Sequence, residues 1–562
     1  MNTPAKHPST FDGSTLIFVV LLSVFGAIIG IQLLITLGVT PNTSIIGALA
    51  AMILARVPLT LLRQFRSIHV QNLAQTAISS ATFGAANSLL LPIAIPFLMG
   101  RPDLILPMFV GVGLAMLLDG YMLYRLFDTR VFPASGAWPP GVAAAEAIKA
   151  GDSGGTQAKV LGAGIGVGVI GAWLHVPMSA FGIAFLGNIW ALTMFGIGLL
   201  IRGYAKPVFG IDINALYIPH GLMIGAGLVA LVQVVGQIRS SRAAAAQEAA
   251  GSAPATAQAP ARKMERPPRS LRSLPPEGAV GSLGRPGGAD ADRIRSTLRF
   301  GAIAYIVLAA LVAFGSGVYA GMSWHMLILF VVYAAFAALA HELIVGIAAM
   351  HSGWFPAFAV ALITLLVGML IGFPPLALTV LCGFAAATGP AFADMGYDLK
   401  AGYVLRGNGA DPAFEADGRR QQLICALIAF IVAIPIVYVS YQGYFSQGQT
   451  PPVAAVYAAT IKAGIASGVG MHLAMWAIPG ALVQWLGGPK RQIGVLLSTG
   501  LLIANPVAGW AVLVGIALRL LALRLWGDKI RNGLEVFAAG TIAGDAIYGF
   551  FNSMVRYHAK VK

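Results

Sequence analysis

The sequence predicts an all-α fold, a polytopic transmembrane helix bundle of about 14–16 spans in two repeated halves with broken or re-entrant segments. Of the 562 residues 57% are hydrophobic and only 10% are charged, whereas about a quarter of a soluble protein is charged. Apolar stretches of roughly 20 residues, long enough to cross a bilayer, recur from Leu16 almost to the C-terminus. The two-residue alternation of a membrane barrel is absent from the sequence, so helices are the spanning structure left.

The charge and the cysteines exclude other classes of protein. The formal net charge is +15, but the basic residues lie mostly between apolar stretches, where they indicate topology and contact with anionic lipid. We therefore predict a lipid bilayer, and no nucleic acid, among the partners. Cys382 and Cys425 both lie in apolar segments, so neither a disulfide framework nor a cysteine metal cage is predicted.

One segment, residues 237–299, is rich in Ala, Pro, Ser, Gly and Arg and has no apolar period. It cannot bury enough surface to offset its ordering entropy, which predicts a disordered linker. Its eleven Lys/Arg against five Asp/Glu favour the cytoplasmic side. The predicted division is an N-terminal tail at 1–15, a first transmembrane half at 16–237, a basic linker at 238–294, a second transmembrane half at 295–555 and a basic tail at 556–562.

The two halves resemble each other at three places in the same order, which indicates an internal repeat. The matches are Ser14-Thr15-Leu16 with Ser296-Thr297-Leu298, Pro139-Pro140 and Ile148-Lys149 with Pro451-Pro452 and Ile461-Lys462, and Gly221 and Gly225 with Gly540 and Gly544. The first connections of the two halves, around 41–44 and 320–324, lack Lys and Arg, so both should face away from the cytoplasm and the halves should be parallel. Seven apolar spans, among them 44–62, are clear before the linker, so parallel halves need an eighth crossing hidden near 132–151 or 207–217, and otherwise the halves are inverted. We favour the hidden crossing. Such repeats are typical of secondary transporters.

A polar run follows a helix-breaking Thr388-Gly389-Pro390 in the second half: Asp394-Met395-Gly396-Tyr397-Asp398-Leu399-Lys400-Ala401-Gly402-Tyr403. With these residues the chain resembles the oligopeptide transporter family, which includes the yellow-stripe-like carriers of metal chelates. Similar stretches occur at 71–76, 132–148 and 538–545, where Asp545 stands in place of the Glu that the family often has. The resemblance implies short peptides or peptide-like metal chelates as the solute and protons as the coupling ion.

The polar run has two interpretations. Asp398 and Lys400 mark a helix end at the cytoplasmic surface, or Asp394 and Asp398 line a path in which Lys400 is a charge partner or binds a substrate carboxylate. The spacing does not decide between them.

Three more ionisable residues are candidates because they fall in apolar segments. Glu146 either pairs with Lys149, at helical spacing, or binds a proton or a substrate amine. Glu342 lies deep in an apolar span, and with His341 it predicts a carboxylate and a neighbouring imidazole that titrate during transport. The H-E-x-x-H zinc motif fails because position 345 is Val, so no metal site is predicted.

The remaining motifs are weaker. Asn505 precedes Pro506 and interrupts the apolar segment 494–515, where its amide either binds a peptide backbone or joins helices. Gly166-x-Gly168-x-x-Gly171 has no strand before it, so helix packing is favoured over a dinucleotide site. No phosphate-binding G-x-x-x-x-G-K-[ST] loop occurs in the sequence. We predict no cofactor.

Together these observations predict a secondary active transporter that imports its solute by alternating access, and not an enzyme. The alternatives are a membrane channel and a membrane-embedded enzyme. Arg exceeds Lys, and Ala and Gly are abundant, which suggests the inner membrane of a bacterium. A homo-oligomer is left open because lipid-facing and partner-facing apolar surfaces look alike in sequence.

Overall fold

The computed structural model describes residues 6–38, 66–151, 156–230, 232–233, 236, 287–352, 357–464 and 469–561. The predicted span at 44–62 and most of the predicted linker lie outside these residues. The last residues of that linker, 287–294, are helical, because a helix begins at Gly287. Within the described part of the chain all regular elements are helices.

The helices of the first half include two that are separated by a π-helical segment at Gly84–Leu90. They are α1 (Gly13–Leu37), α2 (Ile68–Phe83), α3 (Leu91–Leu98), α4 (Ile105–Leu126), α5 (Pro139–Gly151), α6 (Thr156–Trp173), α7 (Met178–Leu186), α8 (Ile189–Phe209) and α9 (Ile218–Ala230). A short 3-10 turn, Pro102–Leu104, precedes α4.

The helices of the second half include a corresponding pair, which is separated by a true break. They are α10 (Gly287–Gly315), α11 (Trp324–Ser352), α12 (Ala357–Ile371), α13 (Pro375–Ala387), α14 (Pro390–Leu405), α15 (Pro412–Phe445), α16 (Pro452–Ala463), α17 (Val469–Arg491), α18 (Ile493–Leu502), α19 (Pro506–Trp526) and α20 (Arg531–Val561). Short 3-10 turns lie at Val318–Gly321 and Gly527–Ile530.

Nine helical segments of the described chain are long and apolar enough to cross a membrane, with α2–α3 and α13–α14 each counted as one segment. This confirms the polytopic helix bundle. The favoured eighth crossing is not among them. Residues 132–151 hold only α5, whose 13 residues cover about 20 Å of the roughly 30 Å hydrocarbon core. Residues 207–217 hold the end of α8 and a turn. The two Pro-Pro motifs therefore begin half-helices, α5 and α16, rather than full spans.

Corresponding helices of the two halves run antiparallel, so the halves are inverted. Counting outward from the Pro-Pro motifs, α2–α3 corresponds to α13–α14, α4 to α15 and α8 to α19. In each pair, a contact that lies later along one helix is made by a residue that lies earlier along the other. Between α2 and α14 these contacts are Gln75 with Asp398 and Ser79 with Asp394. Between α4 and α15 they are Phe109 with Tyr438 and Gly120 with Phe430, and between α8 and α19 they are Gly196 with Leu513 and Gly203 with Pro506.

Helix α10 lies outside this inverted relation. It runs antiparallel to α4, with Tyr305 against Asp119 and Val312 against Gly111. Helix α1 runs parallel to α15, which is itself antiparallel to α4, so α1 and α10 point the same way. The match between Ser14 and Ser296 therefore does not belong to the repeat, because repeated helices here are antiparallel. The start of α10, where the linker ends, lies at the same face as the N-terminus.

Basic residues are concentrated at that face, which we call the N-terminal face. Helix ends and connections there carry Lys6, Arg66, Arg125, Arg130, Arg293, Arg295, Arg299, Arg406, Arg419 and Arg420, whereas the described connections of α3 and α16 at the opposite face carry Arg101 and Lys462. Lys and Arg are in excess on the cytoplasmic side of membrane proteins.

The helices form two lobes. The central lobe is built from α2–α4 and α10–α16, which share one apolar core. The outer lobe contains α6–α8 and α18–α20, and its helices approach closely through glycine. A Cβ added to Gly168 would lie 3.0 Å from the Cα of Gly544. The glycine run of α6 therefore serves helix packing, as its sequence context indicates.

Candidate functional site

The broken helix of the second half provides the framework of the site. Helix α13 ends at Ala387 and α14 begins at Pro390, midway through the 31-residue span Pro375–Leu405. Gly389 adopts a φ of +98°, which favours glycine. The break leaves the first N–H groups of α14 without partners inside the helix and places them, with the positive end of the helix dipole, near the middle of the bilayer.

A buried carboxylate on α4 binds this helix terminus. Asp119 Oδ2 accepts a 2.8 Å hydrogen bond from the backbone N–H of Gly389. Sequence analysis missed Asp119, although it is the only charge in the apolar stretch from Leu104 to Tyr124. A lone charge within a span is the signal that could have identified it.

Asp119 and Glu342 share a single hydroxyl group. The Tyr305 hydroxyl of α10 lies 2.5 Å from Asp119 Oδ1 and 2.8 Å from Glu342 Oε2. A phenol has one proton to donate, so both contacts are hydrogen bonds only if one of the carboxyl groups is itself protonated and donates to the phenol oxygen. We call Asp119, Tyr305 and Glu342 the triad.

His341 has a different partner from its neighbour Glu342. Its Nδ1–H donates to the carbonyl oxygen of Ala385, in the last turn of α13. Nε2 of the same ring is buried and has no hydrogen-bond partner among the described residues. The structure thus brings His341 to the helix break and Glu342 to the triad.

A second pair of carboxylates, Asp394 and Asp398, lies one turn apart on α14 and faces α2. Asp394 Oδ1 accepts from the Ser79 hydroxyl at 2.6 Å. Asp398 accepts from Gln75 Nε2 at 2.5 Å and from the Ser80 hydroxyl at 3.1 Å. Asp394 Oδ2 is buried without a hydrogen-bond partner in the described part of the chain. Asp398 is inside the helix and buried, which differs from the interpretation as a surface helix end.

Lys400, on the same helix, is also buried. Its ammonium group donates to the carbonyl of Ala134 at 2.9 Å and lies 5.3 Å from the centre of the Tyr403 ring. The carboxylates and Lys400 therefore occupy one half-helix, α14, between the break and the N-terminal face. The side chains of Asp119, Glu342, Asp394 and Asp398 are all 0% exposed, so this conformation closes the site to both faces.

A buried ion-pair cluster lies between this site and the N-terminal face. Arg406, just after α14, donates to Glu415 through Nε at 2.7 Å and through Nη2 at 3.1 Å. Arg419 also binds Glu415, at 2.7 Å, and reaches Asp128 after α4 at 2.9 Å. Gln422 links the cluster to the site because it accepts from Arg406 at 2.9 Å and donates to the Asp398 carbonyl at 2.6 Å.

Two predicted site residues lie elsewhere. Glu146 is on α5, with its side chain 60% exposed and 2.9 Å from the ammonium of Lys149. The structure therefore shows the ion pair rather than an unpaired carboxylate at bilayer depth. Asn505 caps α19 by accepting from the N–H of Ala508 at 3.0 Å, which differs from both roles considered for it. Pro506 begins that helix, so the predicted interruption is present.

The described residues contain no group of three or more His, Cys, Asp or Glu side chains that could hold a metal ion.

Comparison with protein families gives a match over most of the chain. The model described as OPT oligopeptide transporter protein matches residues 14–258 and 290–556, which is most of the chain. A comparison with curated proteins finds no match. The matched regions include the triad, the broken helix and α14.

Proposed function

The chain belongs to the OPT oligopeptide transporter family. From this premise we propose that it imports short peptides or peptide-like metal chelates and that a proton gradient drives the import. That it is a multi-pass membrane transporter, and not an enzyme, follows from the family and from its apolar helices. The identity of the solute, the proton coupling and the alternating access are the parts that we propose.

The observation that carries the proposal is the triad. Two carboxyl groups separated by one phenol oxygen, in a site closed to water, favour holding a proton between them. One proton that moves down about 100 mV contributes roughly 2.3 kcal/mol, and one pH unit contributes about 1.4 kcal/mol. Together they support an accumulation of several hundredfold.

The triad is coupled to the solute site through Asp119. The same carboxylate binds Tyr305 and the Gly389 N–H that begins α14. A carboxylate accepts a hydrogen bond from a helix terminus more strongly than a neutral carboxyl group does. When the proton moves onto Asp119, the hold on α14 therefore weakens, and Asp394, Asp398 and Lys400 can move with that half-helix.

The solute would bind along α14. Asp394, whose Oδ2 has no hydrogen-bond partner in the described part of the chain, is suited to a peptide amine. Lys400 is suited to a carboxylate, in exchange for its bond to the Ala134 carbonyl. Glu146 is exposed and ion-paired, so we assign the proton to the triad, and Glu146 serves as a matched acidic control. Access from the cytoplasm would require opening of the Arg406 and Glu415 pair.

The test is uptake by proteoliposomes of labelled di- to tetrapeptides and of iron chelates, with and without an imposed pH gradient. We expect accumulation that requires the gradient. Glu342→Gln and Tyr305→Phe should retain solute binding but lose accumulation driven by pH, while Glu146→Gln should leave both unchanged. Uptake that ignores the gradient would reject proton coupling. Flux that never exceeds equilibration would identify a channel instead.

We further propose that the protein resides in the inner membrane of a bacterium with its N-terminal face in the cytoplasm. Labelling of single cysteines placed at 130 and at 101 by an impermeant reagent in intact cells tests this orientation, because only position 101 should react. A homo-oligomer stays a prediction, and the mass of the protein in detergent measures it.

A further inference from the structure

Three arginines surround a groove at the N-terminal face, where α10 enters the membrane. The groove encloses about 410 Å³ and is lined by Arg130, Arg295 and Arg299, with Ile294, Leu298 and Ala302 among the apolar residues of its wall. Arg295 and Arg299 are one helical turn apart, and Arg130 reaches the groove from the connection after α4. We propose that this groove binds the headgroup and upper acyl chain of an anionic phospholipid.

The groove is held in place by the backbone around it. Arg293 donates to the Phe127 carbonyl at 3.1 Å, at the end of α4. The N–H of Arg130 donates to the Asp290 carboxylate at 3.1 Å. These two bonds fix the start of α10 against the connection after α4, so that Arg130 lines the same groove as Arg295 and Arg299.

The positive charge of the groove is not balanced by carboxylates of the described residues. All three arginine side chains are exposed, and in the described part of the chain none of them forms an ion pair with a carboxylate. Asp290 is engaged by the backbone of Arg130, and Asp292 is the other acidic residue nearby on α10. Guanidinium groups bind phosphate oxygens in bidentate fashion, so a phosphate is the ligand that fits.

The position of the groove selects a lipid over a soluble phosphate. Along α10 the exposed side chains change from Asp292, Arg295 and Arg299 to Phe300 and Ile303, which are 50% and 65% exposed. This change marks the level where headgroups meet acyl chains. Basic grooves beside membrane helices on the cytoplasmic side bind anionic headgroups. The apolar wall formed by Ile294, Leu298 and Ala302 would contact the first part of the acyl chain.

The linker is the other segment of this chain that could cover the groove, and its charge argues against it. Residues 237–286 carry eight Lys/Arg and three Asp/Glu, so they would repel the three arginines. An anionic lipid is attracted by the same field, at about 1 kcal/mol for each basic residue near the surface.

The first test uses the purified full-length protein and native mass spectrometry. We expect one dioleoyl phosphatidylglycerol to be retained for each chain, and dioleoyl phosphatidylcholine, which has the same acyl chains and no net charge, to bind at least about tenfold more weakly. Equal retention of the two lipids would overturn the proposal. Displacement of the bound lipid by millimolar inorganic phosphate would also overturn it, because the groove would then be a free phosphate site.

The second test removes the charge. The double variant Arg295→Gln and Arg299→Gln should lose about 30-fold in phosphatidylglycerol affinity, since each arginine is worth about fivefold. The matched control is Arg66→Gln with Arg420→Gln, which removes two exposed charges from the same face outside the groove, and it should change the affinity by less than about twofold. Equal losses in both double variants would refute a localised site. If the α10 double variant elutes as an aggregate, the single variant Arg130→Gln replaces it, because Arg130 lies outside any helix. This variant should lose about fivefold in phosphatidylglycerol affinity.

Discussion

Two interrupted spans, one in each half, correspond by sequence order and have opposite chemistry. In the first half, Ile68–Leu98 stays helical through the π segment Gly84–Leu90, and the polar residues by which it contacts α14 include the donors Gln75, Ser79 and Ser80. In the second half, Pro375–Leu405 breaks at Gly389 and supplies acceptors, Asp394 and Asp398. The inverted repeat thus contains one donor helix, α2, and one acceptor helix, α14, which run antiparallel and form hydrogen bonds with each other.

The ends of these helices at the N-terminal face differ as well. The start of α2 lies in a cluster of rings, in which His7 and Phe414 are 5.3 and 5.0 Å from the ring of His69. The end of α14 lies in the buried ion pairs of Arg406 and Glu415. Neutral packing on one side and charge pairing on the other make the two ends respond differently to mutation and to pH. The difference indicates that the acceptor helix is held at both ends by polar bonds that can exchange.

The largest effect is expected where the acceptor helix ends. Arg406→Gln leaves Glu415 with Arg419 as its remaining partner in the ion-pair cluster, and breaking a buried ion pair costs about 3–5 kcal/mol. His69→Gln, at the matching end of the donor helix, should cost less because it removes ring contacts and no charge partner. Thermal unfolding in detergent measures both. Equal losses would show that the two ends are equivalent.

A smaller loss is expected at the break itself. Gly389→Ala forces a Cβ onto a backbone with φ +98°, 3.1 Å from Val345, at a cost of about 1–3 kcal/mol. Gly113→Ala is the control, in the regular helix α4, where the atom nearest to the added Cβ is Ile434 Cδ1 at 3.6 Å. Unfolding curves of the two variants should separate, and a greater loss for Gly113→Ala would contradict the strain assigned to the break.

Variants that remove a hydroxyl donor of α2 should affect solute affinity, and the variant that removes the shorter hydrogen bond should have the larger effect. Ser79→Ala removes the 2.6 Å bond to Asp394, worth about 1 kcal/mol, so peptide affinity should change about fivefold. Ser80→Ala removes a 3.1 Å bond to Asp398, which keeps its bond to Gln75, and its effect should be smaller. Equilibrium binding of a labelled tripeptide provides the comparison. The reverse order would place the solute nearer to Asp398.

The smallest effect is a pH dependence at the N-terminal tail. Burial lowers the pKa of His7 from 6.5 to about 4, and the charges of Arg406 and His69 add to this, while Asp417 opposes it. Because the docked tail holds His7 neutral, docking is favourable above pH 6.5 and weakens as the pH falls toward 4. The protection factors of the amides in residues 6–12, which correct for the slower intrinsic exchange at low pH, should be smaller at pH 5 than at pH 7.

The variant His7→Gln checks that prediction, since it removes the titrating ring. Its protection factors should depend less on pH over this range. An unchanged pH dependence in the variant would assign the effect to another group.

Part of the site could be found from the sequence. Glu342, Asp394, Asp398 and Lys400 stand out because charge is rare in apolar segments, and all four are buried at the centre of the protein. Asp119 carries the same signal and was missed. Ser79, Ser80 and Tyr305 could not be found, since hydroxyl groups are common in membrane helices and their partners lie 315, 318 and 186 residues away.

Two expectations differ from the structure for physical reasons. Of the two interpretations of Glu146, the structure shows the ion pair with Lys149 and not an unpaired carboxylate at bilayer depth, because both side chains lie on an exposed side of α5, one turn apart. The halves were taken as parallel because their first connections lack basic residues, but that argument matched α1 with α10. Helix α10 is an additional helix, and only the contacts between helices reveal that the repeat is inverted.

The helical membrane fold, the broken segments and the family can be predicted from the chain, because hydropathy, helix-breaking residues and motifs are properties of neighbouring residues. Only the folded protein shows which carboxyl groups contact the Tyr305 hydroxyl, which donors face Asp394 and Asp398, and which arginines line the groove beside α10. These pairings join residues far apart in the chain, and in a low-dielectric interior the partner of a polar group, rather than its identity, sets its energy and its role.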